Sequence, residues 1–162
     1  MHRSLVVGIL AMCSACVGGG RFSGGVLAGD GGTTGFVTAT FQIGLVDRDL
    51  SRLTIEAGET VSEHEPATHV GVRYDIAHDD RATWTSSGAV EYGRDGGYVM
   101  VTSGVAFQNA SLDHETPDVL GGHLLGAAVE GIVGVGGKHT SDLGARFGAQ
   151  LSFEVLWFDL MR

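Results

Sequence analysis

Leu143-Gly144-Ala145-Arg146-Phe147-Gly148-Ala149-Gln150-Leu151-Ser152-Phe153-Glu154-Val155-Leu156-Trp157-Phe158 is the stretch on which the reading of the whole chain turns. Leu143, Ala145, Phe147, Ala149, Leu151, Phe153, Val155 and Trp157 hold one set of alternate positions, and Gly144, Arg146, Gly148, Gln150, Ser152 and Glu154 hold the other. Successive side chains of a strand point to opposite faces, so this segment has one wholly apolar face and one that carries charges and glycines. The period of two is held for longer than a half-buried soluble strand needs. It suits a strand with lipid on one side and a polar barrel interior on the other.

The same alternation recurs upstream, each time bounded by polar or Gly-rich turn material. Phe36 to Leu45 sets Val37, Ala39, Phe41 and Ile43 against Thr38, Thr40 and Gln42; Arg52 to Gly58 sets Leu53, Ile55 and Ala57 against Arg52, Thr54 and Glu56. His69 to Ala77 sets Val70, Val72, Tyr74 and Ile76 against His69, Gly71, Arg73 and Asp75. Trp84 to Tyr92, Tyr98 to Gln108 and Leu125 to Val135 follow, the first two alternating less cleanly. The Gly-rich stretch from Gly18 to Gly32 reads as a tether or a first strand, with Phe22, Gly24, Val26 and Ala28 alternating with Arg21, Ser23 and Gly25. The expectation is an all-β chain forming an antiparallel up-and-down β-barrel of about eight strands, with 1–15 as an export signal, 16–32 as tether or first strand, and 33–162 as the barrel.

The positions of the charges sharpen this. Arg52, Glu56, Arg73, Asp75, Glu91, Glu130, Arg146 and Glu154 all fall on the less apolar face of their segments. An unpaired buried charge is costly, so a barrel interior built this way is expected to pair them, for example Arg73 with Asp75 and Arg146 with Glu130 or Glu154. Alternation alone does not say which face is wet, since a soluble barrel or sandwich also has one apolar face. Three features favour lipid outside. The polar face is rich in small residues; Trp84, Tyr92, Tyr74 and Trp157 stand near segment ends, where an aromatic girdle belongs; and most segments have the nine to eleven residues a tilted crossing needs. The alternative is a soluble periplasmic lipoprotein barrel whose apolar interior holds a small hydrophobic ligand.

The 162 residues make one domain, and 27 glycines with only 2 prolines suit tight turns and a crowded interior rather than disorder. The net charge of −9 and the single lysine, Lys138, exclude the basic footprint of a nucleic-acid binder. Met1-His2-Arg3, the apolar run Leu5 to Met12 and Cys13-Ser14-Ala15-Cys16 read as an export signal. Ser14-Ala15-Cys16 resembles the end of a bacterial lipobox, which makes Cys16 a lipidation site; ordinary signal cleavage after small residues also fits. Either route leaves Cys16 without an internal disulfide partner.

In strand number and pattern, roughly Arg21 to Phe158 resembles the small eight-stranded outer-membrane barrels of the OmpA and OmpX type. That resemblance implies a location in the bacterial outer membrane with membrane lipid as partner, no cofactor, and a structural role or binding through loops. His139-Thr140-Ser141-Asp142, with Glu154 downstream, resembles the His-x-Ser-Asn motif and Glu of the lipid A deacylases, which would make His139, Ser141 and Glu154 catalytic. One continuous strand, however, puts Ser141 and Glu154 about 43 Å apart, far beyond hydrogen-bond reach.

Three acidic clusters remain: Glu59, Glu63, His64 and Glu65; His78, Asp79 and Asp80; and Asp113, His114, Glu115 and Asp118. None has a calcium-loop or zinc-type spacing, so they read as solvated loop tips, and no metal site is expected. Asn109 to Gly122 is the longest expected connection and so the candidate functional loop.

Overall fold

A computed structural model describes residues 15–29, 32–47, 49–63, 66–78, 82–94, 96–115, 119–137 and 143–161. They form eight strands: β1 (Ala15–Gly29), β2 (Gly32–Val46), β3 (Arg52–Ser62), β4 (Pro66–Ala77), β5 (Ala82–Gly93), β6 (Gly96–Glu115), β7 (Val119–Gly137) and β8 (Gly144–Met161). Each strand pairs antiparallel with the next, and β8 returns to pair with β1, closing an up-and-down barrel without a free edge. The Gly-rich opening is thus a full strand. Most of the expected export signal, residues 1–14, lies outside the described residues.

Following paired partners around the barrel fixes its shape. Gly19 pairs with Gln42, then Glu56, Gly71, Ala89, Met100, Gly134 and Arg146 follow in turn, and Arg146 pairs back to Gly29, ten residues further along β1. That stagger over eight strands tilts them by about 40° to the barrel axis. Glycine permits the sharp inward curvature. A Cβ on Gly58 would stand 1.9 Å from the carbonyl oxygen of Ala39 and 2.7 Å from Cα of Thr40, so no side chain fits where β3 bends against β2.

The two faces are sorted as the alternation requires, with polar groups inside. Among the described residues 22 polar or charged side chains are buried against 13 apolar ones, while the exposed large hydrophobics lie around the outer wall of every strand. On β8 the outward run from Phe147 to Trp157 covers ten steps, roughly 33 Å along the strand and about 25 Å along the axis at this tilt. Trp157, Trp84 and Tyr74 are exposed towards the end that carries the chain termini, and Tyr92 is exposed towards the far end. The interior is therefore mostly polar rather than an apolar, ligand-holding cavity.

The interior has three layers. Val17, Val46, Leu124, Leu156, Phe158 and Leu160 form an apolar plug at the terminal end, with Leu50 and Leu120 packed against it. Leu50 adopts φ 67°, a left-handed conformation costly for a branched side chain, in the turn where Asp47 N donates to Ser51 O. Its packing into the plug offsets that cost. Leu27, Phe36, Met100 and Ile132, joined by Tyr98, form a second apolar layer towards the far end. Charged groups fill the space between.

Two expectations about connections are corrected. Asn109 to Gly122 is no loop: β6 runs to Glu115 and β7 begins at Val119, so the two strands extend as a hairpin at the terminal end, with a bulge between Leu112 and His114. Glu59 is no loop tip either. β3 continues to Ser62, Glu59 pairs with Ala39 and Thr68, and its side chain is exposed on the outer wall between Ala57 and Val61. The polar Glu59-Thr60 pair resembles a turn in sequence, but the backbone ladder on both sides carries the strand through it.

Candidate functional site

The middle layer is one chain of groups that alternate in sign. Glu91 and Glu56 flank His69, with Nδ1 3.1 Å from Glu91 Oε1 and Nε2 3.2 Å from Glu56 Oε1. A neutral imidazole has one donor and one acceptor nitrogen, so satisfying both carboxylates requires a doubly protonated ring or a proton on one carboxylate. From Glu56 the chain passes to Arg21 (3.3 Å), then to Glu130, which also accepts from Arg73 at 2.7 Å. Arg73 reaches Asp75 at 3.0 Å, Asp75 accepts from Arg52 at 2.7 Å, and Arg52 closes the series on Glu154. Each of these three guanidinium groups lies between two carboxylates on different strands, which ties β1, β3, β4, β7 and β8 together across the axis.

Neutral side chains complete the filling. Thr85 Oγ1 and Gln150 Nε2 donate to Glu130, each at 2.9 Å, and Gln42 Nε2 donates to Glu56 at 3.1 Å. Gly126 makes room for Glu154, since a Cβ there would lie 2.6 Å from Glu154 Oε1. The void beside Arg21, Glu56, His69 and Gln150 is about 10 Å³, space for about one water. Apolar layers lie on both sides of it.

Arg52, Glu56, Arg73, Asp75, Glu91, Glu130 and Glu154 are buried in this network. Arg146 is not part of it. It points inward near the far end, with its guanidinium carbon 3.8 Å from the centroid of the Tyr98 ring and Nη2 donating to Tyr98 Oη at 2.6 Å, in place of a carboxylate partner. Arg21 and His69 are the network members that sequence reasoning did not single out. Their signal was parity alone, Arg21 opposite Phe22 on β1 and His69 opposite Val70 on β4.

Arg146 and Tyr98 line a recess of about 90 Å³ at the far end, where Leu27, Phe36, Thr34 and Arg94 complete its walls. Tyr98 can lean inward because Gly136 faces it: a Cβ on Gly136 would lie 2.8 Å from Tyr98 Cδ1.

No protein-family model and no curated protein matches the chain. Among solved structures the barrel is similar to a chain titled "De novo design of transmembrane beta-barrels", at 13% identity and a TM-score of 0.50, over 85% of this chain and 95% of that one. At that identity the likeness is one of fold.

The other sequence candidates are scattered. Glu154 of the deacylase-like set is held in the interior by Arg52, while His139 and Ser141 lie outside the described residues. Cys16 stands at the start of β1, opposite Leu45 and Asp159. Of the acidic clusters, Asp113 accepts from His123 Nδ1 at 3.0 Å on the outside of the β6–β7 hairpin; His64, Glu65, Asp79, Asp80 and Asp118 lie outside the described residues. Among the described residues no group of three or more His, Cys, Asp or Glu side chains is placed to hold a metal ion.

Proposed function

We propose that the chain is a membrane-spanning β-barrel of the bacterial outer membrane, closed along its axis, with a structural role in the envelope or a binding role at its ends. The observation that carries this is the inverted distribution of polarity: the outer wall is apolar over about 25 Å, the thickness of a hydrocarbon layer, and the charged groups are inside. Exposed hydrophobic area on this scale has no counterpart in a water-soluble monomer. The interior charges Arg52, Glu56, Arg73, Asp75, Glu91, Glu130 and Glu154, with Arg21, serve as filling that fixes the register of the strands.

Cys16 lies on the outer face of β1, the parity opposite to the buried Val17, beside the terminal end of the apolar wall. Acyl chains attached there would enter the same leaflet as that rim. Lipidation is thus compatible with the barrel and would be read as added mass on the N-terminal peptide of the mature protein.

The test of the membrane reading is refolding of residues 17–162 with and without detergent, followed by circular dichroism and gel migration before and after heating. Strand signal and a heat-sensitive fast-migrating band in detergent, with aggregation in buffer, are expected. A stable monomer in plain buffer would overturn the reading.

A further inference from the structure

We propose that the recess at the far end of the barrel binds small organic monocarboxylates, with Arg146 as the residue that holds the carboxylate. The inward-facing guanidinium groups differ in their partners. Arg21, Arg52 and Arg73 each lie between two carboxylates. Arg146 has no carboxylate partner among the described residues, although it is half-buried in a chain with nearly twice as many acidic as basic residues.

Arg146 is also fixed in place. Its guanidinium lies over the Tyr98 ring in a cation–π contact, and the bond to Tyr98 Oη uses only one of its five N–H donors. A guanidinium fork offers two parallel N–H groups, the geometry that matches a carboxylate bidentately. Pre-positioning by the ring lowers the ordering cost of that contact.

The recess selects further. Leu27 and Phe36 give it an apolar wall continuous with the layer of Met100 and Ile132, a surface for a short hydrocarbon tail. Arg94 brings a second basic residue to the mouth. Glu91 also borders the recess, but its carboxylate accepts from Thr60 and faces His69 within the network. Its negative charge disfavours a dianion more than a monoanion, which argues for a carboxylate over a phosphate. About 90 Å³ suits a carboxylate with a few methylene groups. Pro66 and Arg94, beside the β3–β4 and β5–β6 turns, line the recess and are exposed, so a ligand reaches it from the aqueous side of the barrel end.

The inference deepens the reading that the barrel works at its ends, yet it rests on the recess alone. Detergent-dependent folding tests the membrane and a ligand titration tests the recess, so either can fail while the other stands. The experiment is titration of the refolded full barrel in dodecyl maltoside, an uncharged detergent, with butyrate, 1-butanol and inorganic phosphate. The readout is the Arg146 Nε–H resonance in ¹H–¹⁵N spectra, assigned by its loss in Arg146→Gln.

A saturable shift with butyrate is expected, absent with butanol and weaker with phosphate. Arg146→Gln should weaken butyrate binding at least tenfold, followed on neighbouring backbone amides, and Arg146→Lys should weaken it to an intermediate degree because a point charge replaces the fork. Tyr98→Phe, which removes the hydroxyl and keeps the ring, covers the case in which an Arg146 variant fails to fold and should weaken the affinity severalfold. Equal butyrate affinity in wild type and in the folded variants, no saturable shift in wild type, or tighter binding of phosphate than of butyrate would each overturn the proposal.

Discussion

Glu130 accepts from Arg21, Arg73, Thr85, Gln150 and Ser152, more partners than any other interior carboxylate whose contacts are described. Removing it leaves two buried guanidinium groups each short of a partner in a region with no room for bulk water. Loss of one member of a buried pair typically costs about 3–5 kcal/mol. Glu130→Ala should therefore lower the unfolding free energy read from the urea transition of the heat-sensitive band by that much or prevent refolding, whereas Thr85→Ala should cost no more than about 1 kcal/mol. A Glu130→Ala barrel as stable as wild type would mean that the ion pairs do not hold the interior together. Gly58→Val should prevent closure altogether, because the added side chain meets the Ala39 carbonyl oxygen; recovery of a normally folded barrel would show that the β2–β3 bend relaxes. At this scale the sequence exposes parity and little else. The inward placement of Glu56 or Arg73 follows from its strand, but the partner of Arg146 does not. Glu154 stands eight residues along the same strand, about 26 Å away, and Glu130 pairs with Gln150, four residues from Arg146; that Tyr98 stands near Arg146 across the intervening β7 depends on the registers between strands, and no local pattern encodes a register.

The strands themselves are legible because one face must meet lipid or core along its whole length, and that requirement writes a period of two into the sequence. Their ends are less so. β6, β7 and β8 run to 20, 19 and 18 residues, longer than the apolar alternation that marks them, since beyond the apolar wall the backbone ladder continues while the side chains turn polar. Asn109 to Glu115 thus reads as loop and folds as hairpin. β3 shows the same effect within the wall, where Glu59 stands between Ala57 and Val61 on the outer face. A carboxylate facing lipid costs less than the 2–4 kcal/mol of a midplane cation, and near one end of the wall about 1 kcal/mol is reasonable. Glu59→Val should stabilise the barrel in phospholipid vesicles by about that amount, measured by urea titration of tryptophan fluorescence, and should do so less in detergent, whose surface adapts around a charge. Destabilisation in vesicles would place Glu59 against a protein partner or in water rather than lipid.

Across the whole molecule, three facts act together: a closed ring of eight strands, an apolar wall about as tall as a bilayer core, and an interior filled by a charge-alternating chain between two apolar layers. A barrel of this strand number is just wide enough for side chains to fill it. The terminal-end plug, centred on the fully buried Leu156, and the layer around Phe36 and Met100 would each have to open before ions could enter, and the network between them would have to break several ion pairs at once. Opening one plug is therefore not enough. In planar bilayers the protein should insert without stepwise conductance, and Leu156→Ala, which thins the plug, should remain non-conducting. Glu130→Ala combined with Arg73→Ala, if refolded, removes both sides of the central bridge and should give the first measurable leak. Steady conductance in the unmodified protein would show that the interior chain rearranges under a membrane potential, and the reading of the barrel as a closed unit acting at its ends would give way to that of a channel.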